Sequence, residues 1–459
     1  MLNEQSIREI CNRTLALSSA PATEVRLDTG RSALTRLAHN EVSESIGKDR
    51  ASLSVRVLLG PANSPNKVGI ASTNRLDDAG LKAVVAQATH AAELGHEEPT
   101  LLPPLGPQKY QSVDRFDAAT AECSADRRTA PLRTILERCR REGLQCAGAF
   151  STGAYGMGIA TSAGLFAFHR LTKANCSLTV SQAEGAAASA PTSSGWSEQL
   201  EWQVDRIDPA GLAEQAFDIA RRSRQPRPLP PGGYTVLLPP AAVGELLMYL
   251  AWGGWSTKAI LEGRSFFSGK LGQQVFGPNI SIADDAFFPR AGGFPFDQEG
   301  LPRQRVPMIE AGGFTNMVHG RETARLAKSQ PTGHGLIAPT TDGAIPCNLV
   351  LAPGNATVPQ MIGSVEHGLL VTHLHYVNIL RPTDLTLTGM TRDGLFLIEN
   401  GKVAGPANNM RFTQSLVTML NNVIAVGSDL SPVPGFYGGQ FLTPSLLVKD
   451  FQFSSSTEF

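Results

Sequence analysis

Six cysteines (Cys11, Cys123, Cys139, Cys146, Cys176 and Cys347) are scattered along 459 residues with no CxxC pair and no framework spacing. That excludes a disulfide scaffold and points to free thiols in a reducing, cytoplasmic setting. No basic run occurs: 40 Lys and Arg against 41 Asp and Glu leave a net charge of −1. Phosphate contacts supply most of a nucleic-acid binder's affinity, so no nucleic-acid partner is expected. No membrane partner is expected either. The longest apolar stretch, residues 234–255, is broken by Pro239, Pro240, Gly244 and Glu245, and reads as strand, turn and helix. The first twenty residues carry Glu4, Arg8, Glu9 and Arg13, and read as a helix with Ile7, Ile10 and Cys11 on one side rather than as a signal peptide.

The familiar catalytic signatures are missing too. There is no GxSxG elbow, no Walker loop and no dinucleotide fingerprint. His96-Glu97 is followed by Glu98, Pro99, Thr100 and Leu101, so HExxH is absent. Gly153-Ala-Tyr-Gly-Met-Gly158 looks like a glycine-rich loop, yet it lies in a hairpin with no phosphate-binding helix after it. Its glycines are expected to serve a turn or close strand contact.

What is present is a turn-rich, soluble composition, with 45 glycines and 31 prolines favouring strands over a helical bundle. Two breaks divide the chain. One is the proline-bearing stretch from His96 to Tyr110; the other is Arg224-Gln-Pro-Arg-Pro-Leu-Pro-Pro-Gly-Gly233, which neither helix nor central strand can use. They give regions 1–108, 109–227 and 228–459. Leu53, Val55, Val57 and Leu59 alternate with polar residues as a half-buried strand does, and Glu41–Ile46 is an edge-strand candidate. Asp77-Asp78 opens a helix with Leu81, Val84, Val85 and Ala88 in one stripe. A helix around Leu132–Cys139, a hairpin turning at Ser162-Ala163-Gly164, and a helix capped by Asp208-Pro209 follow. Beyond residue 233 the pattern is mostly strand, with short helices near Ala241–Ala251 and Phe412–Val426. Strands and helices do not alternate as βαβ units, so the fold class is α+β. It comprises an N-terminal region of antiparallel strands with covering helices and a β-rich C-terminal domain with few helices.

One histidine cluster stands out: Glu366-His367-Gly-Leu-Leu-Val-Thr-His373-Leu-His375. His373 and His375, two apart on a strand, share a face. A metal site needs three or four ligands, and nothing at recognisable spacing completes one, so hydrogen-bonding or cavity-lining histidines are the expectation. His334, in Thr332-Gly-His-Gly335, reads as a turn residue.

Several stretches resemble, in order and spacing, the TldD/PmbA family. They are Leu34–Val42, Ser54–Val57 and Ala71–Asp78, then Phe150–Gly153 and Ala160–Leu165. In the last region they are Phe266–Gly272, Phe296–Arg305, Asn348–Gly354, Leu374–Asn378 and Thr388–Gly394, leading to Ile398–Val403. TldD-type members carry H-E-x-x-x-H on a helix and a C-terminal cysteine, which together hold zinc. Here the comparable helix, Pro240–Trp252, contains no histidine, and residues 427–459 contain no cysteine. Both departures together resemble the PmbA/TldE branch.

The resemblance implies a dimer enclosing a cavity, with this chain forming one wall. No metal or catalytic residue is expected here; zinc is expected in a TldD-like partner subunit, although a second copy of this chain is also possible as partner. The implied substrate is a peptide or amide. Cavity-wall candidates are His373, His375, Trp255, Arg264 and Phe266, with filling of the vacated metal pocket as the competing role for the aromatics. Alternatives are a non-hydrolytic homodimeric scaffold, a subunit acting on an amide in a small natural product, and an independent hydrolase built on His373 and His375. The name "modulator of DNA gyrase", attached to this family, gains no support from the neutral charge.

Overall fold

The computed structural model describes residues 2–61, 63–182, 193–337, 340–435 and 438–456. The N-terminal half runs α1 (Glu4–Ala16), β1 (Ala22–Ala38), β2 (Glu41–Leu59), β3 (Lys67–Thr73), α2 (Asp78–Leu94), α3 (Ala118–Ala121), α4 (Ala125–Glu142), β4 (Leu144–Thr161), β5 (Phe166–Gln182), β6 (Ser194–Glu201) and α5 (Pro209–Arg222). Its strands form one antiparallel sheet in the order β3-β2-β1-β4-β5-β6. Strands from both sides of the proline-bearing break at 96–110 therefore share a single layer, because β1 pairs with β4 over fourteen residues from Glu24↔Thr161 to Leu37↔Gly148.

Local chemistry sets the helix starts. Asn3, Asp77, Ser124 and Asp208 each cap a helix by accepting a backbone N–H from the first turn. The apolar stripes then cover one face of the sheet. Ile7 and Cys11 of α1 and Leu81, Val84 and Ala88 of α2 pack on Val25, Leu27, Val55 and Val57. Leu132, Leu136 and Cys139 of α4 and Phe217 of α5 pack on Cys146, Phe150, Cys176 and Leu178. Period-two alternation leaves Arg26, Asp28 and Gly30 on the opposite, helix-free face.

Gln225–Pro231 is a largely exposed connection with a single bridge, Arg227 to Ala407. The C-terminal half follows as β7 (Gly232–Leu238), α6 (Pro240–Tyr249), α7 (Thr257–Leu261), β8 (Ile282–Asp284), β9 (Val306–Glu310), β10 (Gly313–Phe314), α8 (Arg321–Ala327), β11 (Leu349–Leu351), α9 (Val358–Gly363), β12 (His367–Arg381), β13 (Thr386–Glu399), β14 (Lys402–Ala407), β15 (Met410–Ser415), α10 (Leu416–Asn421), β16 (Val423–Val426), β17 (Ser431–Pro434), β18 (Gln440–Thr443) and β19 (Leu446–Ser456). One sheet runs β10-β9-β8-β11-β18-β17; the other runs β12-β7-β19-β15-β13-β14, and β12 also pairs with β13. That extra pairing closes five strands into a ring around the core that holds Val236, Leu374, Leu387, Phe412 and Phe451.

One expected element differs. Phe412–Val426 is not a helix: Met410–Ser415 pairs in register with β13, and only Leu416–Asn421 is helical. Phe412 and Met410 are buried on one face with Arg411 exposed between them, the alternation of a strand. Glu41–Ile46 is the first part of the nineteen-residue β2, paired with β1 alone, since β3 reaches only Leu53–Leu59.

Candidate functional site

The site begins with α6. Pro240 sits in its first turn, where its fixed φ suits a helix and its missing N–H costs nothing. Ala242, Val243, Leu246 and Leu247 bury one side, and Gly244 presses so close to Val433 that an added Cβ would lie 2.3 Å from a methyl carbon. The helix then loosens into a π-type turn at Leu250–Gly254. This leaves Glu245 and Tyr249 directed toward β12, and the Tyr249 hydroxyl donates to the Val377 carbonyl.

There α6 packs on β12, which pairs with β13, and β13 in turn meets β6. His373 on β12 stacks on Trp196 of β6, with ring centroids 4.0 Å apart and planes 7° from parallel. Its Nδ1 lies 3.1 Å from Asp393 Oδ2 on β13, and Ser194 donates its hydroxyl to the other oxygen of Asp393 at 2.8 Å. Glu198, two residues beyond Trp196, accepts from the Asn175 side chain at 3.0 Å. Burial pushes the Glu245 carboxyl up, and the charge of His373 partly opposes it. Burial pushes Glu198 up as well, against the pull of Asn175 and His373. For Asp393 burial works in the same direction, but the bonds from His373 and Ser194 win and hold it below the usual carboxylate range. The cluster thus contains two carboxyls with raised proton affinity beside an imidazole oriented by an ionised carboxylate. Such a set combines groups of the kind that give and take protons in catalysis.

His375 lies beside His373 on β12, with ring centroids 6.5 Å apart. It accepts from Arg392, and burial together with that guanidinium lowers its proton affinity. The other three residues named from sequence lie elsewhere. Trp255 is fully buried and stacks on Phe267 at 5.3 Å, so it is core. Phe266 packs at the margin of the same cluster with the Lys270 ammonium 3.2 Å over its ring. Arg264 is exposed and bonded to Glu262. His334 is no simple turn residue: it is buried, and its Nε2 lies 2.9 Å from Asp284. Trp196, Glu198, Glu245 and Asp393 were not singled out by sequence. Asp393 lies within Thr388–Gly394, and Glu245 was visible only as a residue standing in a histidine-free helix; Trp196 and Glu198 gave no signal.

The donor set does not fit a zinc ion. Among the described residues no three His, Cys, Asp or Glu side chains converge as metal ligands would, and α6 supplies one carboxylate and no imidazole. Nor is any helix among them long and apolar enough to cross a membrane.

Comparison with known proteins agrees with this architecture. Residues 231–455 match the family model of the PmbA/TldA metallopeptidase C-terminal domain, and residues 23–92 match that of PmbA/TldA metallopeptidase domain 1. This chain belongs to the PmbA/TldD family, a metallopeptidase family. A metalloprotease of Methanothermobacter thermautotrophicus is 24% identical over 236 residues, 51% of this chain and 52% of that protein. A metalloprotease TldD homolog of Haemophilus influenzae is 26% identical over 167 residues, 35% of this chain and 34% of that one. The chain thus spans about half, or less, of the length of these curated relatives. Among solved structures, TldE from Thermococcus kodakarensis superposes with a TM-score of 0.85 at 19% identity, covering 98% of this chain and 99% of its own. A candidate DNA gyrase modulator of Thermotoga maritima gives 0.85 and 19%, covering 97% and 100%. These likenesses establish the fold.

Proposed function

We propose that this chain is the metal-free subunit of a peptide- or amide-cleaving complex, working in the cytoplasm with a zinc-bearing TldD-like partner and forming one wall of the shared substrate cavity. The observation that carries this reading is α6. It keeps its place in a family fold and turns Glu245 toward His373, yet it has no imidazole with which to bind metal. The zinc of the partner would polarise the scissile carbonyl and activate water. In this chain His373 is held in one orientation by Asp393 and Trp196, and burial raises the proton affinity of Glu245 and Glu198. Their task is to bind and orient the substrate and to exchange protons with its polar groups.

The test is co-expression with a TldD-like protein from the same genome, followed by sizing, zinc analysis and hydrolysis of a fluorogenic peptide. A two-chain complex is expected, burying on the order of 2,000 Å² or more, with zinc in the partner and turnover only when both chains are present. Full activity from the partner alone, or failure to co-elute, would overturn the reading. A stable homodimer of this chain with no response to the partner would favour the scaffold alternative.

A further inference from the structure

A cavity that shares no lining residue with the α6 cluster is lined by the helix-free face of the N-terminal sheet. It has a volume of about 640 Å³ and lies between β1, β2, β4 and β5 on one side and Phe294 and Gly438 on the other. Strand register explains its composition. Arg50, Gly30, Tyr155 and Leu171 form one cross-strand row, and Lys48, Ser32, Gly153 and Lys173 form the next. Tyr155 lies down over two glycines: a Cβ on Gly30 would sit 3.3 Å from its ring, and one on Gly153 2.5 Å from its hydroxyl. The glycine-rich stretch Gly153–Gly158 thereby acquires a use, since larger residues at these two positions would lift the ring and fill the cleft.

Charge in this cleft is one-sided. Arg26, Lys48, Arg50 and Lys173 line it, and the one carboxylate among the lining residues, Asp28, is engaged by Arg26 at 2.7 and 2.9 Å. Lys48 and Arg50 flank Asp49, but Arg31 on the opposite face takes that carboxylate. Neither Lys48 nor Arg50 has an ion pair or side-chain hydrogen bond among the described residues. The Lys173 ammonium donates only to the carbonyls of Gly438 and Gly439, and burial without a counter-ion lowers its pKa to about 8. Apolar surface from Met157, Leu171 and Phe294 completes the lining. At its inner end the cleft shares Arg26, Met157 and Phe294 with a pocket of about 40 Å³, where the buried Arg303 leaves Nε and Nη1 without hydrogen-bond partners. Asp284, 4.0 Å from Nη1, and Asp297 face that guanidinium, so its charge is balanced while these two donors are free. Low-dielectric walls lined by charge of one sign concentrate counter-charged ligands.

We infer that this inter-sheet cleft is a binding site for a carboxylate-bearing ligand, an acidic peptide segment whose carboxylates meet Lys48, Arg50 and Lys173 and whose apolar part lies on Tyr155, Met157 and Phe294. The site shares no residue with the α6 cluster and does not depend on the hydrolytic reading. Calorimetric titration of the full chain, without any partner, tests it. The probes are an acetylated triglutamate peptide, the matching triglutamine amide, and inorganic phosphate. The acidic peptide is expected to bind and to weaken as salt rises. The Lys48→Gln/Arg50→Gln variant, altered only at exposed side chains, should bind it roughly ten-fold less tightly, a difference of about 1.4 kcal/mol. Lys173→Met should weaken it further if its melting transition is preserved. Equal binding of the glutamine peptide, binding of phosphate but not of the acidic peptide, no binding, or an unchanged affinity in the double variant would each overturn the site. Such a failure would leave hydrolysis by the two-chain complex untouched, and a failure of hydrolysis would leave this titration unchanged.

Discussion

The imidazole of His373 lies flat on the indole of Trp196 and joins the two halves of the molecule, since one residue belongs to the C-terminal ring and the other to the last strand of the N-terminal sheet. Ser194 reaches Asp393 across the same junction. The geometry of the candidate site therefore depends on how the halves dock.

His373→Ala in the two-chain complex should lower turnover at least ten-fold, about 1.4 kcal/mol, without changing the zinc content of the partner. His375→Ala should cost less, because that ring faces Arg392 rather than the acidic pair. Single-turnover kinetics with parallel metal analysis distinguish the two. Equal losses would place the histidines in one functional unit.

Trp255→Ala should destabilise the chain by about 3–5 kcal/mol, the usual cost of emptying an aromatic core position. The indole is fully buried against Phe267. Urea unfolding reads the change directly. A variant of unaltered stability but poor substrate affinity would return Trp255 to the cavity wall.

Gly158 offers a packing test. A Cβ there would sit 2.2 Å from the Ile7 side chain, so Gly158→Ala should cost about 1–3 kcal/mol through overpacking of α1. Adding Ile7→Ala, which removes the clashing Cγ2 methyl, should give a double variant less destabilised than the sum of the two single losses. Additive losses in the double variant would refute the contact.

Two buried carboxyls give opposite pH responses. Asp284 is held down to about 2 although burial itself would raise it, because His334, Arg303 and the backbone N–H of Asn348 favour the anion. A depressed folded-state pKa adds stability that is complete above the unfolded value near 3.8 and lost as pH falls through about 2. Glu299 is raised to about 8 by burial and by Asp297. Its folded state is favoured below about 4.5 and loses stability as pH climbs toward 8. Glu299→Gln should therefore raise the melting temperature at pH 8, by roughly 2 kcal/mol in stability, and change little at pH 4. A loss of stability at pH 8 would show that the pairing with Arg321 outweighs burial.

Much of the fold was legible in the sequence because its signals are local. Asp77 and Asp208 announce their helices by side-chain capping, Leu53–Leu59 alternates visibly, and Pro226–Pro231 can be nothing but a connection. Met410–Ser415 reads as helix because Met410, Phe412 and Leu416 mimic a helical stripe, and only pairing with β13, twenty-one or more residues away along the chain, decides for strand. The candidate site was half legible for the same reason. His373 and His375 advertise themselves by residue type, whereas Trp196, Glu198 and Asp393 matter only through contacts across the junction of the halves. The cationic cleft was hidden further still, since Lys48 and Lys173 come into one row only through the register of four strands.

The ring of the C-terminal half has a consequence for how the molecule can be rebuilt. Its first strand, β7, and its last, β19, lie side by side, with Leu446 opposite Leu238 and Phe453 opposite Gly232. The half thus begins and ends at the same place on its own surface, as an insertable module does. Joining those ends by a short linker and opening the chain elsewhere would alter the order of synthesis while leaving every strand neighbour in place, so this half is a natural candidate for circular permutation.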